Sequence, residues 1–254
     1  HEDWPFNQLV YVVASEQIHH FKVLFYVLKK LGYEWANKLY HLSYGLVNLP
    51  SGRMKSREGT VVDADDLIDT LHADAAAEIK EKGRENEVGN VDEVSEKIAL
   101  AALHYYLLQI TPVKDMLFNP QESLSFTGNT GPYLQYMGAR IASILRKAEE
   151  SGITPSSPAE AAKHLTAQAE WDLMKALSDF PATVAKSADG LDPSVMTSYL
   201  YDVSKLFSKF YQQCPILAAE TDELKKARLL LAECTLTVLK SAMNLVLVPF
   251  LDKM

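Results

Sequence analysis

The sequence predicts a mainly α protein, in which a small α/β part precedes an all-α helix bundle. Three observations carry this. Between residues 9 and 47, two apolar, β-branched runs flank one amphipathic stretch, in the order strand, helix, strand. From about residue 127 onward, apolar side chains recur at helical spacing in four separated stripes. The chain has 254 residues, 48% of them apolar, enough for one large or two ordinary domains with a sizeable core.

Leu9-Val10-Tyr11-Val12-Val13 reads as a buried parallel strand. Ser15 is the expected N-cap of the following helix, in which Ile18, Phe21, Leu24, Phe25 and Leu28 recur at helical spacing and which Gly32 stops. Leu39 to Val47 reads as the second strand. The unit is a right-handed parallel crossover, at most half of a Rossmann-like nucleotide-binding sheet, because no glycine-rich first strand–helix turn precedes it. Asp63-Ala64-Asp65-Asp66 places carboxylates at a helix start, where they cap free N–H groups and suit the positive end of the dipole. Residues 75–97 are highly charged and punctuated by Gly83 and Gly89, a solvated helix and turn. Ile98, Ala101, Ala102, Tyr105 and Leu108 make an apolar helix, on which His104 reads as a satisfied histidine rather than a catalyst.

Pro112 and Asn119-Pro120 mark a connection, and Gly128-Asn129-Thr130-Gly131-Pro132 turns into a helix with Pro132 in its first turn. The stripes that follow are Tyr133, Tyr136, Met137, Ile141, Ile144 and Leu145; then Leu165, Leu173, Ala176 and Leu177; then Met196, Leu200, Val203, Phe207 and Phe210; and last Leu224, Leu231, Cys234, Val238, Ala242 and Leu245. Stripes of this kind pack a bundle core, with connections expected at 155–158, 189–193 and 214–221.

Composition excludes several classes. The two cysteines, Cys214 and Cys234, form no C-x-x-C pair, so a disulfide framework is ruled out and a zinc site is disfavoured; both are expected as small buried apolar residues in helices. The acidic opening His1-Glu2-Asp3 is unlike a secretory leader. The most apolar run, Leu229 to Leu251, is interrupted by Glu233 and Lys240 and makes a poor membrane span. A reducing cytoplasmic setting fits. The net charge is −8, but unevenly spread: residues 1–126 carry 12 basic against 19 acidic side chains, residues 127–254 carry 13 against 14. The second half is near neutral and has room for a local basic face.

One loop stands apart. Gly52-Arg53-Met54-Lys55-Ser56-Arg57-Glu58-Gly59-Thr60 holds three cations in five residues between two glycines. Glycine permits the φ > 0 conformations of a tight loop, and cations on such a loop can stabilise charge on a polyphosphate. It is not a G-x-x-x-x-G-K-[ST] phosphate loop. A plain basic surface loop has the same composition.

With its flanks, Leu42-Ser43-Tyr44-Gly45-Leu46-Val47 before and Thr60-Val61-Val62-Asp63 after, this loop resembles the K-M-S-K-S signature of class I aminoacyl-tRNA synthetases in its arginyl form, Met-Ser-(Ser/Thr)-Arg-Lys-Gly-Thr-Val-Val. Met54, Arg57, Gly59, Thr60, Val61 and Val62 match; Lys55 and Glu58 depart, and Ser56 stands where the class-wide signature has its second lysine. Gly128 to Tyr136, with Arg140, matches the arginyl family's Gly-(Asp/Asn)-Thr-(Gly/Ala)-Pro-Tyr-Leu-Gln-Tyr-x-x-x-Arg at the entry to a helical anticodon-binding domain. The chain thus resembles the arginyl-tRNA synthetases throughout, as a piece lacking the first half of the catalytic domain, since no H-I-G-H tetrad occurs; His19-His20 is not one.

The resemblance implies two domains: residues 1–126, the later part of a class I catalytic domain, and residues 127–254, an anticodon-binding bundle. It implies an arginine–tRNA ligase as the whole protein, with tRNA(Arg), arginine and ATP as partners. Mg2+ would be held by the ATP, with no protein-bound metal, and a cytoplasmic monomer is expected. Arg53, Met54, Lys55, Ser56 and Arg57 would carry the catalytic signature. Gln17 and His20, beyond the carboxyl end of the first strand where α/β sheets bind ligands, would face arginine and its adenylate; the plainer reading is a capping Gln17 and a packed His20. Tyr133, Arg140, Tyr211 and Met254 would engage tRNA. This chain alone is expected to be inactive. The alternative is a non-catalytic RNA-binding helical module.

Overall fold

The computed structural model describes residues 3–48, 50 and 63–254. The chain forms two compact units, one of residues 1–61 and 110–119, the other of residues 62–109 and 120–254. The signature residues Arg53, Met54, Lys55, Ser56 and Arg57 lie outside the described residues.

In the first unit, β1 (Leu9–Ala14) and β2 (Leu39–Tyr44) pair in parallel, with Leu9 opposite Leu39 and Ala14 opposite Tyr44, and α1 (Ile18–Lys30) makes the crossover. The strand–helix–strand unit is therefore as expected. Phe21 of α1 is buried against Tyr11, Phe25 and His41, at ring-centroid distances of 5.0, 5.7 and 4.3 Å. Gly32 stops α1 at φ +88°: its N–H reaches the Lys29 carbonyl while the Tyr33 N–H reaches back to Leu28, the paired closure that a left-handed residue permits.

Two details differ. Ser15 caps nothing; residues Ser15–Gln17 form a 3-10 turn leading directly into α1. The strand expected over 39–47 breaks at Gly45, and Val47–Asn48 (β3) pairs instead with Met116–Leu117 (β4), again in parallel. The cause is a close backbone approach. A Cβ at Gly45 would overlap the Lys114 carbonyl, the Gly45 N–H donates to Pro112 O at 2.7 Å, and the Leu46 N–H donates to the Asp115 carboxylate at 2.7 Å.

The second unit is helical: α2 (Ala64–Glu81), α3 (Glu85–Val88), α4 (Val91–Leu108), α5 (Pro120–Ser123), α6 (Gly131–Glu150), α7 (Pro158–His164), α8 (Gln168–Ser178), α9 (Phe180–Gly190), α10 (Ser194–Gln213) and α11 (Asp222–Leu245). Several starts are capped from the side chain as their sequences suggest: Asp63 accepts from the Asp65 N–H, Asn90 from Glu93, Thr130 from Tyr133, Ser157 from Glu160 and Thr221 from Leu224. Ala167 has no acceptor, and Glu170 compensates by accepting the Ala167 N–H at 2.8 Å.

The core forms where α4, α6, α10 and α11 meet, with α7 and α8 completing it, around Leu134, Ile141, Leu173, Leu200, Phe207 and Leu239. The stripe expected on α10 is buried in full. On α11 the buried face is Leu231, Thr235, Leu239 and Ala242, whereas Leu245 and Cys234 are exposed. That helix is apolar on more than one side, so its periodicity does not select the inner face. Cys214 is buried but sits just past the end of α10, and burial pushes its thiol up from its ordinary pKa. Among the described residues, no helix is long and apolar enough to cross a membrane.

Candidate nucleic-acid interface

The run 128–135 first builds a joint. Gly128 takes φ +87°. Asn129 accepts the Tyr105 hydroxyl at 2.5 Å, and that buried hydroxyl also donates to Thr197 O at 2.8 Å. A Cβ at Gly131 would overlap the Ala101 carbonyl, so glycine is what lets α6 begin against α4. Gln135, fully buried, donates both amide hydrogens, to Lys97 O at 3.0 Å and to Pro249 O at 2.8 Å. These residues fix where α6 lies, and α6 presents the side chains that follow.

Beyond the joint, Tyr136, Arg140, Ser143 and Lys147 recur at helical spacing on one face of α6. With Arg146, with Tyr211 from the last turn of α10, and with Lys253 and Met254, they line a hollow of about 410 Å³. The Arg140 guanidinium lies over the Tyr136 ring at 4.8 Å and the Tyr211 ring at 5.4 Å, and donates to the Tyr136 hydroxyl at 2.5 Å. Tyr211 is 40% exposed, yet its ring is braced against the fully buried Phe207, one helical turn earlier, at 6.4 Å and nearly parallel. Four cations line the hollow, Arg140, Arg146, Lys147 and Lys253, and among the described residues no Asp or Glu side chain does. On a chain of net charge −8 this is a concentrated positive patch with aromatic faces. That combination suits a phosphate backbone with unpaired bases.

Of the residues expected to engage tRNA, the fold gathers Arg140, Tyr211 and Met254 into one hollow. Tyr133 lies beside it: its ring meets Tyr201 edge-on at 6.0 Å, and burial raises its pKa. Tyr136 stands in the hollow instead. Tyr136 and Lys147 were reachable from the sequence, at four residues before and seven after Arg140. Lys253 left no such signal.

In the first unit, Gln17 is exposed at the end of the 3-10 turn beyond β1, and His20 is exposed with its ring edge-on to Phe21 at 5.5 Å. Gln17 does not cap α1 with its side chain. Gln17 and His20 both follow the carboxyl end of β1 within a few residues, at the edge where the parallel β2 also ends. Among the described residues, no group of three or more His, Cys, Asp or Glu side chains is arranged to hold a metal ion.

Two known families match successive parts of the chain: "tRNA synthetases class I (R), catalytic domain" over residues 1–120 and "DALR anticodon binding domain" over residues 134–254. The half-sheet thus matches the catalytic domain of the class I aminoacyl-tRNA synthetases and the bundle an anticodon-binding domain. Within that class the chain belongs to the arginyl-tRNA synthetase family. It is 62% identical over its whole length to the arginine–tRNA ligase of Treponema denticola and 45% identical over 99% of its length to that of Borrelia hermsii. The arginyl-tRNA synthetase structure of Thermus thermophilus superposes with a TM-score of 0.86 at 28% identity, covering 98% of this chain and 41% of that one. The chain spans 43% and 42% of the length of the two curated relatives.

Proposed function

We propose that the chain is part of an arginine–tRNA ligase that activates arginine with ATP and transfers it to the 3′ end of tRNA(Arg), and that its helical half holds the anticodon arm. The single observation that carries the RNA reading is the hollow around Arg140 and Tyr211, with four cations, two tyrosines and, among the described residues, no Asp or Glu side chain. The functional division is taken at 126/127. Arg53, Lys55 and Arg57 act on ATP phosphates or the tRNA acceptor end, with Met54 and Ser56 completing the signature. Gln17 and His20 serve arginine and its adenylate. Mg2+ arrives with ATP, and the protein works as a monomer in the cytoplasm. The chemistry is positioning and charge stabilisation.

The test is a fluorescence titration of this chain with an anticodon stem-loop of tRNA(Arg) at several salt concentrations. Affinity should fall with salt with a log–log slope of about −0.7 per single-stranded phosphate contacted. Binding that ignores salt, or no binding, overturns the reading. Arginine-dependent ATP–pyrophosphate exchange is expected from the longer relatives and not from this chain alone. The second reading, an RNA-binding module without catalysis, is favoured for the isolated chain by the 43% share of its relative that it spans.

A further inference from the structure

Residues 246–254 cross the second unit after α11 and bring Lys253 and Met254 to the hollow. Val246, Val248 and Leu251 of this segment are buried, and Leu247 turns the chain in the left-handed region at φ +55°. The segment is gripped mainly by its carbonyls. His104 of α4 meets Leu247 O at 2.7 Å, Gln135 of α6 donates to Pro249 O at 2.8 Å, Arg146 donates to Asp252 O at 3.1 Å, and Arg84, in the turn before α3, donates to Met254 O at 3.2 Å. A Cβ at Gly138 would come within 2.6 Å of the Phe250 ring, so the absence of a side chain there seats the segment against α6.

Two of these contacts reach the segment from side chains outside it, Gln135 to Pro249 and Arg84 to Met254. Gln135 is an amide in a fully buried position, its oxygen without a hydrogen-bond partner among the described residues, and its NH2 bridges α4 to the segment. A buried amide only half satisfied is costly; an apolar residue would fill the same space without that cost but would release Pro249, and with it the bond to Lys97 O of α4. Arg84 is an exposed side chain from a different part of the unit, and it fastens the residue at the hollow's edge.

We infer that Gln135 and Arg84 are positioning residues for RNA binding, holding residues 246–254 as a strap so that Lys253 stands at the hollow. This rests on the RNA reading above. Neither side chain lines the hollow; both act through the strap.

The experiment is a double-mutant cycle on this chain, with the anticodon stem-loop as probe at several salt concentrations. Lys253→Ala should weaken binding several-fold and shallow the salt slope by roughly 0.7. Arg84→Ala should do the same, and adding Lys253→Ala to it should change nothing further, because the freed Lys253 no longer contributes. Gln135→Met should give the same loss and speed amide exchange at residues 248, 250 and 251, with helix content retained by circular dichroism. If Gln135→Met does not fold, the Arg84 arm decides alone. Additive losses for Arg84→Ala and Lys253→Ala, or an Arg84→Ala protein that binds like the parent, overturn the positioning role while leaving the RNA reading intact. Failure of the parent to bind overturns both. Slow exchange in Gln135→Met with unchanged affinity overturns the role of Gln135.

Discussion

Glu170 and Arg228 form a buried ion pair in the bundle, and removing one partner should show what it contributes. The Glu170 side chain is 1% exposed and that of Arg228 12%, and Arg228 Nε donates to Glu170 at 2.7 Å. The same carboxylate accepts the Ala167 N–H at 2.8 Å, and Arg228 also donates to Pro215 O at 2.9 Å. Arg228→Met leaves a buried carboxylate with one backbone donor and strips Pro215 of its own. Breaking a buried pair from one side costs about 3–5 kcal/mol; the residual exposure of Arg228 places this case near the lower end, about 3 kcal/mol. In a domain of this size each kcal/mol moves Tm by about 2–4 °C, so the helical unit should melt about 6–12 °C lower. Replacing both partners, Glu170→Leu with Arg228→Met, removes the stranded charge and should recover all but about 1 kcal/mol, the remainder reflecting the Ala167 N–H left without its acceptor. The assay is thermal and urea unfolding of the parent, both single variants and the double variant. A single variant within about 1 kcal/mol of the parent, or a double variant as unstable as the two losses added, refutes the reasoning.

Arg140→Ala removes the cation between Tyr136 and Tyr211; stem-loop affinity should drop about tenfold, or about 1.4 kcal/mol, with a shallower salt slope and unchanged helix content, whereas parent-like binding would place the contact elsewhere. Gly131→Ala puts a methyl group into the Ala101 carbonyl and should cost about 1–3 kcal/mol, read as a lowered urea midpoint. Burial pushes the Tyr199 hydroxyl up to about 12 and raises that of Tyr105 as well. Their neutral forms are favoured in the fold, so their contribution is whole below the ordinary tyrosine value of 10 and is lost as pH climbs toward 12. Tyr199→Phe should flatten that alkaline loss in a pH series of urea melts, and an unchanged slope would count against it. In the longer enzyme, Arg57→Ala should lower kcat more than it raises KM for arginine, by roughly a hundredfold if it removes one preorganised donor; a raised KM with unchanged kcat would assign the loop to substrate binding.

The sequence by itself determined the element types and the motifs. The elements β1, α1 and β2, Gly32 as the stop of α1, Asp63 as a cap and the apolar stripe of α10 all follow from patterns within a few residues, where periodicity and capping chemistry act. So did the family, because the glycines, threonine and glutamine of 128–135 make specific short-range demands. Tertiary structure decided what depends on segments distant along the chain. The strand break at Gly45 needs the approach of residues 112–115. The inner face of α11 is selected by its neighbours, because the helix offers apolar side chains on several sides. The hollow exists only because α6, α10 and residues 253–254 converge, which recruits Tyr136 and Lys253 and leaves Tyr133 on Tyr201. Charge and aromaticity are properties of single residues and can be read along a chain; a binding surface is a property of their arrangement, and packing alone sets it.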